Sequence, residues 1–185
     1  MESQQSHNQL HVVFVPHPSP GHMHPMIDTA RVFAMHGVNV TIIATHANAS
    51  IFQKAIDSDF NSGYPIKTQL IQFPSAQVGL PDGVENMKDG TSFEIQRKIG
   101  LGISMLRDPI EALFQDLQPD CIVTDMMQPW TAEQAAKLGI PRIHYYGLSI
   151  FSEVIGSNTL LVTSHPLYKT MVINKEKTNT LNRTL

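Results

Sequence analysis

Cysteine is almost absent from this 185-residue chain, Cys121 being the only one. An internal disulfide and a zinc site built on several thiolates are thereby excluded, and a reducing, cytoplasmic compartment is the expected setting. Charge is scarce as well. Asp, Glu, Lys and Arg make up 16% of the residues, against ~25% in an average soluble domain, so a long disordered or coiled-coil segment is not expected. The net charge of −3 leaves no basic excess to draw the chain to nucleic acid or to anionic lipid. No apolar run approaches the ~20 residues that a membrane-spanning helix needs. Residues 1–10 read as a polar tail with no apolar core behind a basic start, so no secretory signal is expected. Asn39, Asn48 and Asn182 match the glycosylation pattern, and without such a signal they are read as chance matches.

What is present is alternation. Val12-Val13-Phe14-Val15 is a short, unbroken apolar run of the kind found in a strand covered on both faces. A Pro-rich loop follows, and Pro25 is expected to open a helix in which Met26, Ile27, Ala30, Phe33 and Ala34 share one face, with Gly37 as its stop. Further strands are expected at 40–44, 66–73, 121–125 and 140–145. Helices are expected at 48–56 with Asn48 as N-cap, at 91–105, from Asp108-Pro109 onward, at 130–138 and at 149–162. This β-α repetition predicts an α/β fold: a Rossmann-like parallel sheet with helices on both faces.

In such a sheet ligands collect beyond the carboxyl ends of the strands, where the winding direction reverses. With the order 3-2-1-4-5 that point lies between the first and fourth strands. The loop after the first carries His22, and the fourth ends on Asp125. A neutral imidazole accepts a proton near neutral pH, and a carboxylate on its other nitrogen stabilises the cation that forms. The pair therefore reads as an acid–base site whose electrophile is an acyl carbon, a phosphorus or an anomeric carbon. The plainer reading of Asp125 is a cap for the backbone of Met127 or Gln128.

Other chemistries fit less well. A dinucleotide site wants Gly-x-Gly-x-x-Gly after the first strand and an acidic residue after the second; here Gly21 stands alone and the second strand ends Ala44-Thr45-His46. Asp57-Ser58-Asp59 has the look of a metal-binding triplet, but it follows a helical stretch and reads as a solvated helix end. His17, His22 and His24 lack the further ligands of a metal site, so no metal is expected. Cys121 is expected to be an inert buried thiol, and Trp130 a packing residue or pocket wall.

His11-Val12-Val13-Phe14-Val15-Pro16 followed by Pro20-Gly21-His22-Met23-His24-Pro25-Met26 resembles the first strand and loop of plant family 1 UDP-glycosyltransferases. Pro119-Asp120-Cys121-Ile122-Val123-Thr124-Asp125 with Met126-Met127-Gln128-Pro129-Trp130, and Gly139-Ile140-Pro141-Arg142-Ile143-His144, resemble later segments of the same family, in the same order. The wording is nearest to the plant branch acting on triterpenoids, of soyasapogenol type. The resemblance implies the N-terminal half of a two-domain GT-B fold, in which a sugar passes with inversion from a UDP-sugar to a hydroxyl of a small hydrophobic metabolite, a triterpenoid or a flavonoid. It implies His22 as the base and Asp125 as its partner, Gly21 near the donor, and His24, Met126 and Met127 along the acceptor. UDP-sugar is then a co-substrate and no further cofactor is needed. The same comparison sets residues 11–170 as the acceptor-binding domain and residues 171–185, from Met171-Val172-Ile173 onward, as an atypical tail. The UDP-sugar-binding domain is expected to be absent, so that UDP-sugar binds only if that half is supplied. A truncated acceptor-binding module without turnover, or an inactive gene remnant, is the alternative.

Overall fold

The structure is a computed structural model that describes residues 9–146. Within this span five strands form one parallel sheet: β1 (His11–Val15), β2 (Asn39–Thr45), β3 (Ile66–Ile71), β4 (Cys121–Asp125) and β5 (Arg142–Tyr145). They lie in the order β3-β2-β1-β4-β5, so the winding reverses between β1 and β4. The register sets Val12 against Val40 on one side and against Cys121 on the other. The helices are α1 (Pro20–Met35), α2 (His46–Ser50), α3 (Gln53–Asn61), α4 (Ser75–Val78), α5 (Phe93–Met105), α6 (Arg107–Leu117) and α7 (Thr131–Leu138), with one 3-10 turn at Met87–Asp89. The helix expected at 149–162 and the tail at 171–185 lie outside the described residues.

Alternate residues of β1 enter two separate cores. Val12 and Phe14 pack with Met26, Ala30, Ala34, Ile42 and Ile56, beneath α1 and α3. Val13 and Val15 pack with Ile43, Phe73, Ile99, Ile110 and Phe114, beneath α5 and α6. This is the period of two expected of a strand covered on both sides.

Three helix boundaries depart from the sequence expectation. Helix α1 begins at Pro20, not Pro25, and contains Pro25. Proline suits a first helical position, where its missing N–H has no partner to lose. The result is that His22 sits in the first turn of a helix rather than in a loop. Asn48 is not an N-cap; it lies within α2 and is buried, because its amide is occupied by tertiary bonds. Asp108 is the second residue of α6, which follows α5 with only Leu106 between them and has no side-chain cap. Asp59 in turn is not a solvated helix end. It is buried in α3, and its carboxylate accepts two hydrogen bonds from the Arg31 guanidinium of α1.

Candidate active site

Parallel pairing of β1 with β4 sets the end of one strand beside the end of the other. After β1 the chain crosses Pro16 to Ser19 and enters α1, whose first turn presents His22. The last residue of β4 is Asp125, with no exposure to solvent. The two side chains, 103 positions apart in sequence, meet there: His22 Nδ1 lies 3.0 Å from Asp125 Oδ2 and 3.1 Å from Oδ1. A carboxylate only accepts, so it holds the proton on Nδ1 and leaves the lone pair on Nε2. The His22 side chain is 19% exposed, and among the described residues no hydrogen bond occupies Nε2. Asp125 also serves as a cap, Oδ1 accepting the Met127 N–H at 2.9 Å. One carboxylate thus makes both contacts: the backbone bond fixes the group that faces the imidazole.

A cavity of about 330 Å³ lies nearby, lined by Met23, Met127 and Gln128 and by His17, whose ring contacts His22, while His22 and Asp125 themselves are not among its lining residues. It lies beyond the carboxyl ends of β1, β2 and β3. Its apolar wall includes Val15, Ile43, Ile71, Ile103, Leu106 and Trp130. Such a chamber, apolar with a few convergent polar groups, is the usual form of a small-molecule site. Its supports are specific. The Arg107 guanidinium lies 5.6 Å from the ring centre of Trp130, a cation–π contact that braces the wall. On the β2 side Asn48 Nδ2 donates to Thr45 Oγ1 at 2.8 Å, and Asn86 Nδ2 donates to Asn48 Oδ1 at 2.7 Å. The Met87 N–H donates to the Pro18 carbonyl at 2.8 Å, tying the 3-10 turn to the loop before α1. Buried amides paired in this way hold a wall in one arrangement.

Of the side chains singled out in the sequence, His22 and Asp125 are brought together, and Met127 lines the cavity while remaining about half exposed. His24 is exposed, and neither it nor Met126 is among the lining residues. The helix explains His24: two residues along α1 turn the side chain by about 200°, so His24 faces away when His22 faces inward. Met126 continues β4 instead, its N–H donating to the Tyr145 carbonyl at 3.0 Å. Gly21 is exposed, and a Cβ there would meet nothing within 4 Å, so no contact within the described residues demands a glycine.

His17, Gln128 and Met23 are among the lining residues that carried no functional assignment from sequence. The His17 ring stands edge-on to His22, with centroids 5.4 Å apart. Burial pushes the His17 imidazole below its ordinary pKa, Asp125 pulls it back up, and His22 presses it down. Cys121 is half-buried, and that burial raises its thiol pKa, which suits an unreactive group. Among the described residues no group of three or more His, Cys, Asp or Glu side chains is placed to hold a metal ion.

An imidazole held by a buried carboxylate near an apolar chamber, at the switch point of a parallel sheet, is an arrangement able to accept a proton. Comparison with known proteins narrows the class. The chain is 51% identical over 141 residues to the soyasapogenol B glucuronide galactosyltransferase of Glycine max, covering 76% of this chain and 28% of that protein. It is 47% identical over 137 residues to the solanidine UDP-glucose glucosyltransferase 1 of Solanum tuberosum, covering 74% of this chain and 28% of that one. Among solved structures it resembles Glycyrrhiza uralensis UGT73P12 in complex with glycyrrhetinic acid 3-O-monoglucuronide, with a TM-score of 0.74 and 46% identity over 78% of this chain and 29% of that one. No family model matches. Over about three quarters of its length the chain is similar to plant UDP-glycosyltransferases, and its Rossmann-like sheet corresponds to the N-terminal part of their GT-B fold. It spans less than a third of the length of these relatives.

Proposed function

We propose that the chain is the acceptor-binding half of an inverting UDP-glycosyltransferase. A small hydrophobic metabolite bearing a hydroxyl, of triterpenoid or flavonoid type, enters the cavity. His22 Nε2 takes the hydroxyl proton as the oxygen attacks the anomeric carbon of the UDP-sugar from the face opposite UDP. The new C–O bond forms as the bond to diphosphate breaks, and UDP departs with the electron pair. One displacement gives inversion. Asp125 stabilises the imidazolium that results. UDP-sugar is a co-substrate held chiefly by the part of the relatives that this chain does not span, with Gly21 facing it, and no further cofactor takes part. Met127 contributes to the acceptor wall. A cytoplasmic setting belongs to the same reading, and the scarcity of cysteine is consistent with it. Among the described residues no helix is long and apolar enough to cross a membrane.

The observation that carries this reading is the pair itself, with His22 Nδ1 3.0 Å from a fully buried Asp125 carboxylate near an apolar cavity. The test is a graft: residues 9–146 replace the matching part of the Glycine max enzyme, and sugar transfer is assayed with the donor and acceptor of that enzyme. Transfer is expected, and Asp125→Ala is expected to lower it by about 10²–10⁴-fold with acceptor affinity retained. A variant as active as its parent contradicts the reading. A graft that binds acceptor without turnover favours the non-catalytic module.

A further inference from the structure

His22 stands in the first turn of α1, and that turn has little of its own to hold it. Ser19, at the N-cap position, makes no side-chain hydrogen bond to the helix, and no acidic residue occupies the first turn. An uncapped helix start leaves backbone N–H groups without partners and tends to fray. The hold comes from outside the helix. The 3-10 turn at Met87–Asp89 is closed by a capping box: Asn86 Oδ1 accepts the Lys88 N–H at 3.1 Å, and Asp89 Oδ2 accepts the Asn86 N–H at 3.1 Å. From that turn two bonds reach the segment that carries His22. The Met87 N–H donates to the Pro18 carbonyl at 2.8 Å, and Asn86 Nδ2 donates to Met23 Sδ at 3.3 Å. Asn86 Nδ2 also donates to Asn48 Oδ1 at 2.7 Å, and Asn48 in turn bonds Thr45, the last residue of β2. Asn86, Asn48 and Met23 are all buried.

We propose that Asn86 is a positioning residue for His22: its amide ties the end of β2 to Met23 and so holds the first turn of α1 where Nδ1 meets Asp125. This rests on the reading of His22 as the base. The Asn86 amide has two donor hydrogens, and each finds an acceptor on a different element. Both bonds are buried, so water does not replace them when they are lost. Met23 follows His22 directly in the helix, so a shift of one carries the other with it. Asp125 is fixed separately, by the Met127 N–H. The carboxylate and the imidazole are thus each held by a device of their own. With the Asn86 tie removed, the His22 ring, 19% exposed, turns away from the carboxylate part of the time. The ring proton then settles on Nε2, the nitrogen that has to accept one, and the imidazole cannot act as a base.

The test follows the ring proton in the full-length chain, by nitrogen NMR of isotope-labelled histidine at about pH 9, where the imidazoles are neutral. His11 is the internal control: it lies at the opposite end of β1 and its Nε2 is 2.8 Å from Thr41 Oγ1. In the wild type His22 is expected to carry its proton on Nδ1. The variants are Asn86→Ala and Asn86→Asp, the second of which keeps an acceptor for the Lys88 N–H but brings no hydrogen for Met23 or Asn48. In both, the Nε2–H form of His22 is expected to rise at least about threefold while the His11 signals stay in place. An unchanged His22 in either variant overturns the positioning role and leaves the reading of the base intact. Loss of the His11 signals together with those of His22 assigns Asn86 to the stability of the whole fold, and overturns the role as well. A wild-type His22 with its proton on Nε2 overturns the positioning role together with the reading of the base.

Discussion

Val12 and Phe14 leave one face of β1, and Val13 and Val15 leave the other; the two layers they enter are built for different ends. On the α1 side Phe14 meets Phe33 edge-on at 5.4 Å, and Met26, Ala30 and Ile42 are fully buried around it. That layer is filled. On the α5–α6 side the same strands supply Val15 and Ile43 to the wall of a chamber of about 330 Å³. Unfilled volume weakens a core, because the lining atoms lose their neighbours. The contrast teaches that the filled layer carries the stability that lets the other remain open near His22.

The largest effect on stability is therefore expected in the filled layer. Phe14→Ala should cost about 3–5 kcal/mol in urea unfolding. A loss below about 1 kcal/mol would show that the layer is looser than its packing implies.

Two glycines of α5 sharpen the same contrast from the other side. A Cβ on Gly102 would clash with the ring of Phe73, which is 1% exposed. Gly102→Ala is expected to destabilise by about 1–3 kcal/mol through overpacking, in spite of its better helix propensity. Gly100 lines the cavity, and a Cβ there meets nothing within 4 Å. Gly100→Ala should stabilise by about 0.5–1 kcal/mol. Identical shifts in the two melts would refute the distinction.

The smallest effect is a pH dependence. Burial lowers the pKa of both His17 and His11 from the ordinary 6.5. Below 6.5 the unfolded chain takes up these protons before the folded one does, so stability is present above that value and falls as the pH drops toward the depressed ones. His17→Phe should flatten the fall in melting temperature between pH 7 and 5. An unchanged slope would show that His17 is solvated.

Much of this architecture was legible in the sequence because continuous apolar runs such as Val12 to Val15 and Ile122-Val123 read directly as buried strands, and strand order follows from parallel winding. The meeting of His22 and Asp125 followed from that order alone. The start of α1 was not legible: Pro25 drew attention as a helix opening, although Pro20-Gly21 already begins it. That misplacement set His24 beside His22 in a loop, whereas the helix turns it to solvent. The unpaired atoms of His17 and Gln128 were not legible, since such an atom exists only once the fold closes around it. The cavity walls come from segments spread between Val15 and Trp130. Asn48 misled in the same way, as a residue with strong local capping chemistry whose side chain instead bonds Thr45 and, across the fold, Asn86.

The base assignment is tested most directly by comparing His22→Ala with His24→Ala in the grafted enzyme, by initial rates of sugar transfer at saturating acceptor. The two histidines share one helical turn and differ in what they face. His22→Ala is expected to lose about 10²–10⁴-fold in rate while His24→Ala stays within about twofold of the parent. Equal rates for the two variants, or transfer that survives without His22, would contradict the account.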